Sequence, residues 1–385
     1  MSFDIAAMFI VHLPLAIFCL GYLTIGAISI YFSRKPFAEA GAEQRVPPPF
    51  ISVVVPAYNE ESIIAGKLES LFKTTYPKDR MEVVVVDSST DSTPTIVESY
   101  SRRYPMIRLI HDTERRGLAT ALNQAFKECK GEIVVKVDSD LVLAENTLVE
   151  IVSRFRDPRI GAVTGKVNVV NQGASREVSY RGVQETVQKA ETYLDSMFMA
   201  HPFAAYRRGL MKEYKPTEYG DETIQTIHIR RQGYKVIYDP RSNFYEEFPE
   251  DGKERLRQKI RRSEGLIRVI FENSDMLFKR RYGKFGMYVF PSNLFMFTIS
   301  PVLLFVTPII AAFDLALFSA ATYLDVLILA LFGIVFAGRK RSVLSSIWTF
   351  LELQYAQLRG LLNVTVVKKS DYKWQKIERV AAQQR

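Results

Sequence analysis

The 385-residue sequence contains little cysteine and little histidine, with two residues of the first and four of the second. Cys19 and Cys129 stand far apart, so they provide neither a disulfide framework nor the clustered spacing of a zinc site. Free thiols are typical of a reducing compartment, and we expect the soluble part of the chain to lie in the cytosol. Four residues lack metal-ligand spacing and are interpreted as structural or surface histidines: His12, His111, His201 and His228.

The sequence also lacks internal repeats and low-complexity segments, which argues against a solenoid or an extended linker protein. Its formal net charge is +9, and 48% of its residues are hydrophobic. A basic chain is typical of proteins that bind nucleic acid, an anionic membrane surface or phosphorylated ligands. Because the hydrophobic residues concentrate near the start and in the C-terminal quarter, we favour the membrane and expect no nucleic-acid partner.

Charge is nearly absent from three long apolar runs, which predict membrane-spanning helices. The run 5–32 exceeds the about 20 apolar residues that cross a bilayer core. A cleaved signal peptide is the alternative, but no basic stretch precedes this run. The runs 287–313 and 315–337 predict a transmembrane hairpin. Basic residues follow the first and third runs, at 34–35 and 339–341, and predict that these ends face the cytosol.

Residues 342–362 are apolar but include Glu352, Gln354 and Arg359. They predict either a fourth spanning helix or an amphipathic helix in the membrane interface, and the second is favoured because a basic tail follows. We therefore expect a multi-pass integral membrane protein with a cytosolic soluble domain. Its predicted parts are an N-terminal transmembrane helix (1–33), a soluble domain (47–250), amphipathic interface helices (251–285), a transmembrane hairpin (286–338), and an interfacial helix with a cytosolic tail (339–385).

Between the membrane runs, short β-branched segments alternate with segments of helical periodicity. Strands are predicted at 51–55, 83–86, 108–110 and 133–137, and helices at 60–72, 93–104 and 118–129. Pro56 is expected to end the first strand. The alternation predicts an α/β fold with a mostly parallel, Rossmann-like sheet that helices cover on both faces. Ligands of such sheets bind at the carboxyl ends of the strands, where Asp87 and Asp138 stand.

Asp138 and Asp140 place two carboxylates two positions apart, directly after the predicted strand 133–137. In an extended backbone, such residues point to the same side. Mg2+ and similar hard cations are bound by one or two carboxylates together with substrate phosphates. The pair therefore predicts a metal and phosphate site, with an ordinary acidic turn as the alternative.

Three further segments carry candidate functional groups. Asp87 ends a strand, where an acidic side chain can accept hydrogen bonds from a base or a ribose, although a helix cap is the alternative. Asp221 and Glu222 precede a helical stretch and suit either a general base or the helix dipole. The stretch 254–268 predicts a basic amphipathic helix, on which Gln258 and Arg261 suit phosphate contacts.

These segments, in this order, resemble membrane-bound family-2 glycosyltransferases with a GT-A catalytic domain, the branch of hyaluronan, chitin and cellulose synthases. The resemblance runs from about residue 51 to residue 268. Each of its motifs is weak evidence alone, and their order along the chain makes the resemblance specific. The matching segments are residues 55–61, 86–93, 116–123, 137–140, 205–208, 220–222 with 233–234, and 258–262.

The resemblance implies a single-step, inverting transfer of a sugar from a UDP- or GDP-sugar to a lipid-linked or glycan acceptor, with Mn2+ or Mg2+ as cofactor. It places the metal on Asp140 together with Asp138, and it makes Glu222 the general base with Asp221 as second candidate. The donor contacts that it implies are Pro56, Ala57, Tyr58, Asn59, Glu60, Asp87, Ser88, Gly117, Asp138, Ser139, Asp140, Gln258, Arg261 and Arg262.

The sequence departs from the family pattern at Ser88, where an acidic residue is frequent, and at Leu118, where lysine is frequent. Arg262 replaces a tryptophan that lies beside the acceptor sugar in processive synthases. A processive polysaccharide synthase therefore stays an alternative, in which a homo-oligomer would supply further helices for a channel. A non-catalytic membrane scaffold that retains the fold is the second alternative.

Overall fold

The computed structural model describes residues 2–36, 48–171, 175–215, 222–248, 251–315 and 343–367. Their contacts divide them into two units. The sheet unit contains the described residues of 35–174 and 191–250, and the helical unit contains those of 1–34, 175–190 and 251–370.

Eleven α-helices are described: α1 (Ser2–Ser33), α2 (Ile64–Lys73), α3 (Thr93–Arg103), α4 (Leu118–Glu128), α5 (Thr147–Ser153), α6 (Ser175–Leu194), α7 (Glu222–Arg231), α8 (Gly252–Glu272), α9 (Phe290–Leu294), α10 (Ser300–Leu315) and α11 (Val343–Leu362). The described strands are β1 (Ile51–Ala57), β2 (Met81–Asp87), β3 (Ile107–His111), β4 (Ile133–Val137), β5 (Val142–Leu143), β6 (Ile160–Val169), β7 (Phe203–Arg207) and β8 (Lys235–Glu246).

The strands form a single mixed sheet in the order β3-β2-β1-β4-β7-β6-β8-β5. Strands β3, β2, β1 and β4 run parallel to one another, as the alternation of strands and helices predicts. β7 runs antiparallel to both β4 and β6, whereas β8 pairs in parallel with β6 and antiparallel with β5. The expected α/β fold is confirmed, and the carboxyl ends of β1, β2, β3 and β4 lie along one edge of the sheet.

Valine side chains of β1, β2 and β4 form the core on both faces of the sheet. On one face, Val53 and Val83 belong to a cluster that includes Leu68 of α2 and Ile151 of α5. On the other face, Val54, Val84 and Val134 pack with Leu122 of α4. Successive residues along a strand thus pack against helices on opposite faces of the sheet, which explains why these strands are apolar throughout.

The first predicted strand was placed too short, because β1 continues through Pro56 to Ala57. Proline has no N–H for a ladder and is tolerated at the edge of a sheet. The pairing of β1 with β4 ends at Val54, whereas the pairing with β2 continues to Ala57. Pro56 therefore lies where β1 has a neighbour on one side only, a position in which a sheet tolerates proline.

The second half of the sheet was not predicted, because polar residues interrupt its strands. β8 contains Asp239, which is fully buried and accepts two hydrogen bonds from Arg154, from Nε at 2.9 Å and Nη2 at 3.0 Å. A buried charge is tolerated when it is paired in this way. The β6–β8 pairing also shifts register between Gly165 and Lys166, which breaks the simple alternation.

Two helices of the helical unit, Leu13–Ser33 and Phe285–Thr307, are long and apolar enough to cross a membrane by length and composition. The second contains two π-helical turns, Phe285–Val289 and Phe295–Ile299. Pro291 and Pro301 follow these turns. A proline ring clashes with the carbonyl four residues before it, and widening the helix there relieves the clash. Residues 316–337 of the predicted run 315–337, and the tail beyond 367, lie outside the described residues.

Helix α11 packs within the helical unit against α8 and α10. Lys259 of α8 donates to Glu352 of α11 at 2.9 Å, and a Cβ on Gly360 would meet Ser263 Cβ at 3.0 Å. Gln354 is fully buried and donates to Tyr22 Oη at 2.8 Å, while Ser300 donates to its Oε1 at 3.1 Å. Glu352 and Gln354 therefore contact other helices, Arg359 is exposed, and whether this helix spans the membrane stays a prediction.

Candidate active site

The loops after β1 and β2 are held together by side-chain hydrogen bonds. The Asn59 amide donates to Ser89 Oγ at 2.6 Å, and the Glu60 amide donates to Thr93 Oγ1 at 2.8 Å. In return, the Thr90 amide donates to Asn59 Oδ1 at 2.8 Å. Asn59 has a φ of 55°, a left-handed conformation that asparagine adopts more readily than most residues. Helix α2 begins at Ile64 rather than at residue 60, after this hydrogen-bonded loop.

Asp87 lies at the end of β2, in register with Ala57 of β1 and His111 of β3. Its side chain is fully buried. One carboxylate oxygen, Oδ2, lies 2.7 Å from His111 Nδ1 and also accepts the Ser89 amide at 3.2 Å. The other oxygen, Oδ1, accepts the Ser89 hydroxyl. Ser88, between them in sequence, is half-buried.

Asp138, Ser139 and Asp140 follow β4 directly, at the same edge of the sheet. Lys136 Nζ lies 2.6 Å from Asp138 Oδ1 and also contacts Glu222 Oε1, at the first position of α7. Burial alone would lower the pKa of Lys136, but the charges and hydrogen bonds of Asp138 and Glu222 outweigh it and raise this pKa above its ordinary value. Lys136 therefore stays charged and joins the predicted metal motif to the predicted base.

A second buried lysine lies near the acidic pair. Lys67 of α2 donates to the Leu141 carbonyl at 2.6 Å. Burial lowers the pKa of Lys67 to about 7, against the opposing charges of Asp140 and Asp138. The acidic pair is thus bordered by two buried amines, which reduce the repulsion between carboxylates and phosphates brought to the same place.

The loop between β3 and α4 contributes a cation. The Arg115 guanidinium carbon lies 3.8 Å from the centre of the Tyr58 ring, a cation–π contact that connects this loop to the end of β1. Gly117, which precedes α4, has a φ of 94°, a conformation that L side chains rarely adopt. Tyr58 and Gly117, both predicted donor contacts, therefore border the same edge of the sheet.

The described residues of the sheet unit do not include every predicted site residue. Asp221 lies outside the described residues, as does Gly220. Three predicted donor contacts, Gln258, Arg261 and Arg262, lie on α8 in the helical unit, where each is half-buried. Their proposed contacts with a donor stay predictions.

Sequence reasoning missed Lys136, Lys67 and His111. Lysine is almost never fully buried unless it is paired, so Lys136 inside the apolar strand 133–137 was a signal of a buried partner. His111 was interpreted as structural or surface, and no local pattern distinguished it. Its pairing with Asp87 depends on the register of β2 and β3, which the sequence alone does not give.

The chemistry of the donor set suits a hard divalent cation. Within the described ranges, no group of three or more His, Cys, Asp or Glu side chains is arranged to hold a metal ion. Asp138 and Asp140 provide two carboxylates, which is the number that Mg2+ sites commonly combine with substrate phosphates. Asp138 Oδ1 also binds Lys136, and the assignment of Asp140 as the main metal ligand stays a prediction.

The chain is similar in sequence to known glycosyltransferases. Residues 52–215 match the family model described as Glycosyl transferase family 2. The chain is 27% identical over 272 residues to the probable glycosyltransferase YdaM of Bacillus subtilis, which covers 65% of this chain and 63% of that protein. It is 31% identical over 162 residues to the beta-monoglucosyldiacylglycerol synthase of Nostoc sp., and this match covers 40% of this chain and 34% of that protein. The chain thus spans less than two thirds of the length of either relative.

A solved structure is similar over nearly the whole chain. The mannosyltransferase PcManGT from Pyrobaculum calidifontis, in complex with GDP-Man and Mn2+, superposes with a TM-score of 0.74 at 25% sequence identity. The match covers 94% of this chain and 100% of that chain. It therefore includes both the sheet and the helices that follow it.

Proposed function

We propose that the protein transfers a sugar from a nucleotide-sugar to a membrane acceptor. The premise is that this chain belongs to glycosyltransferase family 2 through its domain at residues 52–215. The donor is a UDP- or GDP-sugar, and the acceptor is a lipid-linked or glycan hydroxyl. The reaction takes place at the cytosolic membrane face, depends on a divalent metal and inverts the anomeric centre.

The observation that carries this proposal is the bridge made by Lys136. Its ammonium contacts both Asp138, in the predicted metal motif, and Glu222, the predicted base. The two carboxylates come from different elements, the end of β4 and the start of α7. Perturbed, paired ionisable groups at the carboxyl edge of an α/β sheet are typical of a catalytic site rather than of a packing core.

The metal site of the proposal consists of Asp140, with Asp138 as the second carboxylate. A bound Mn2+ or Mg2+ would neutralise charge on the leaving diphosphate. The solved mannosyltransferase contains Mn2+ together with GDP-Man, which supports a divalent ion beside a nucleotide-sugar in this fold. Lys136 holds the Asp138 carboxylate in place through its charge.

Glu222 is the proposed general base. Its side chain is 12% exposed, so it is accessible yet largely withdrawn from water. The carboxylate would accept the proton of the acceptor hydroxyl while that hydroxyl attacks the sugar carbon from the face opposite the diphosphate. One displacement of this kind inverts the anomeric centre. Asp221 stays the second candidate for this role.

The apolar helices support the membrane part of the proposal. Leu20 and Leu23 of α1 are 63% and 52% exposed, and Ile309 of α10 is 59% exposed. Soluble monomers rarely expose such extended apolar surface, whereas lipid covers it at no cost. Arg34 and Lys35 follow α1 directly and suit the cytosolic side.

The acceptor part of the proposal is a lipid or a short glycan rather than a growing polymer. The Nostoc relative is named for a glucosyldiacylglycerol product, and its similarity supports a lipid acceptor in this branch. Arg262 occupies the position where processive synthases carry tryptophan. A charged guanidinium does not stack on a sugar face as an indole does, so a polymer would be held less firmly.

The test is a donor panel assayed on the full chain in detergent or nanodiscs. UDP- and GDP-sugars are supplied one at a time with Mn2+ or Mg2+ and membrane lipids, and released nucleoside diphosphate is measured. Turnover that requires one donor, a metal and a lipid supports the proposal. No turnover with any donor would overturn it.

A variant separates the base from donor binding. Glu222→Gln removes the proton acceptor but keeps the shape of the side chain, so we expect turnover to fall by about 100-fold or more while nucleoside diphosphate still binds. Equal turnover in this variant would remove Glu222 from the mechanism and leave Asp221 as the base.

A further inference from the structure

The carboxylate of Asp87 is enclosed by its own neighbours. Its side chain is fully buried, and both of its oxygens accept hydrogen bonds. Ser89 supplies two of these bonds, from its hydroxyl and its amide, and His111 supplies a third at 2.7 Å. An ionised carboxylate only accepts hydrogen bonds. A carboxylate has about four lone-pair sites, so these bonds occupy three of the four on Asp87.

His111 is the exposed member of this pair. Its side chain is 32% exposed, whereas that of Asp87 is fully buried. Ala57, Asp87 and His111 form one row across three parallel strands, because Ala57 pairs with Asp87 and Asp87 pairs with His111. Adjacent strands lie roughly 4.8 Å apart, so the row spans about 10 Å at the edge where such sheets bind nucleotides.

Asp87 also determines which nitrogen of His111 carries the proton. A carboxylate oxygen 2.7 Å from Nδ1 requires a hydrogen on that nitrogen. In the neutral ring, Nε2 is then an acceptor. Within the part of the chain that the structure describes, Nε2 has no hydrogen-bond partner. The pair thus presents a directed lone pair, fixed by a buried carboxylate, at the nucleotide edge of the sheet.

We propose that His111 reads the nucleobase of the donor by accepting a ring N–H at Nε2, with Asp87 as the residue that positions it. This inference rests on the proposed use of a nucleotide-sugar. Uracil and guanine both present a ring N–H on the edge that pairs with other bases, whereas cytosine and adenine present a ring nitrogen acceptor there. Two acceptors facing each other repel, so His111 selects uracil or guanine nucleotides over cytosine and adenine nucleotides.

The experiment measures the affinities of UDP, GDP, CDP and ADP for the full chain in detergent at pH 8 with Mn2+, by isothermal titration calorimetry. We expect UDP or GDP to bind about three- to tenfold more tightly than CDP and ADP, the range that one net hydrogen bond provides. The wild-type preference is itself a test that requires no variant to fold.

Two variants separate reading from packing. His111→Asn keeps a donor for Asp87 but lacks an atom at the position of Nε2, whereas His111→Gln keeps a polar group near that position. In H111N, we expect the affinity for the preferred nucleotide to fall about three- to tenfold, with CDP and ADP unchanged. In H111Q, we expect part of the preference to remain.

Several results would overturn the inference. The inference is wrong if the wild-type protein shows no base preference, or if H111N keeps the preference. It is also wrong if H111N binds all four nucleotides equally weakly, and this last result would assign His111 a structural role. Absence of binding for all four nucleotides would instead overturn the proposed function, together with the inference that rests on it.

Discussion

Lys136 of β4 forms an ion pair with Glu222 of α7, although 86 positions of the chain separate them. The same ammonium lies 2.6 Å from Asp138. A single buried cation therefore holds together two acidic groups that would repel each other without it. Because removal of one partner from a buried ion pair leaves an uncompensated charge, this arrangement is sensitive to any change at residue 136.

Lys136→Met should reduce turnover by roughly 100-fold and destabilise the protein by about 3–5 kcal/mol, because both carboxylates lose their buried partner. Lys136→Arg keeps the charge and should recover part of the turnover with a donor KM near that of the wild type. Steady-state kinetics and thermal unfolding measure the two effects. Lys127→Met is the control, because Lys127 is 65% exposed and its pair with Glu213 contributes little. Full turnover in K136M would contradict the bridging role.

Asp140→Asn should abolish metal-dependent turnover while the protein stays folded, because an amide oxygen carries no charge to hold a divalent cation. Activity is measured against increasing Mn2+ and Mg2+, and circular dichroism reports the fold. Asp79→Asn removes the same charge from a side chain that is 81% exposed and should leave turnover unchanged. Normal turnover in D140N would exclude Asp140 as a metal ligand.

Gly165→Ala should destabilise the protein by about 1–3 kcal/mol, because an added Cβ would meet the Ser242 carbonyl oxygen at 2.1 Å. The two strands approach closely at this point of the β6–β8 pair, where the register shifts. Gly182→Ala in helix α6 is the matched change, since its Cβ would meet no atom within 4 Å, and it should raise stability by about 0.5–1 kcal/mol. Thermal unfolding midpoints in the same detergent compare the two, and equal midpoints would contradict the close approach.

Cys129 should resist thiol reagents in the folded protein. Burial raises the pKa of this thiol from its ordinary value of 9.0 to about 11. The folded state therefore keeps a proton that the unfolded state releases, so the contribution of Cys129 to stability is complete below pH 9 and is lost as the pH rises towards 11. We expect Ellman's reagent to label the native protein slowly at pH 8 and rapidly after denaturation. Fast native labelling that Cys129→Ser abolishes would contradict the burial.

Local patterns in the sequence were sufficient for the parallel half of the sheet. β1, β2 and β4 are apolar throughout because both of their faces are covered, and helices with clear periodicity separate them. The position of the Asp138 motif after β4 followed from the same pattern. The antiparallel strand β7 and the polar strand β8 depend on pairing between distant residues, such as Arg154 with Asp239, which no local pattern encodes.

The candidate site shows the same division. The carboxylates were predictable because each stands at the end of an element, whereas the groups that neutralise or orient them were not. Lys136 reaches Glu222 only because the start of α7 lies beside β4 in the folded sheet unit. His111 meets Asp87 only because β2 and β3 pair in a particular register. Tertiary placement, rather than residue type, determined these roles.

Helix α6 belongs to both units, since Ser175–Ala190 clusters with the helical unit and the remainder with the sheet unit. In its first half, Glu177 is buried and lies 3.9 Å from Lys259 of α8. Each unit is therefore assembled from separate stretches of chain. A protease that cuts once, at any single site, releases neither unit intact, and a fragment ending at residue 250 would expose Ser175–Ala190 of α6 to water.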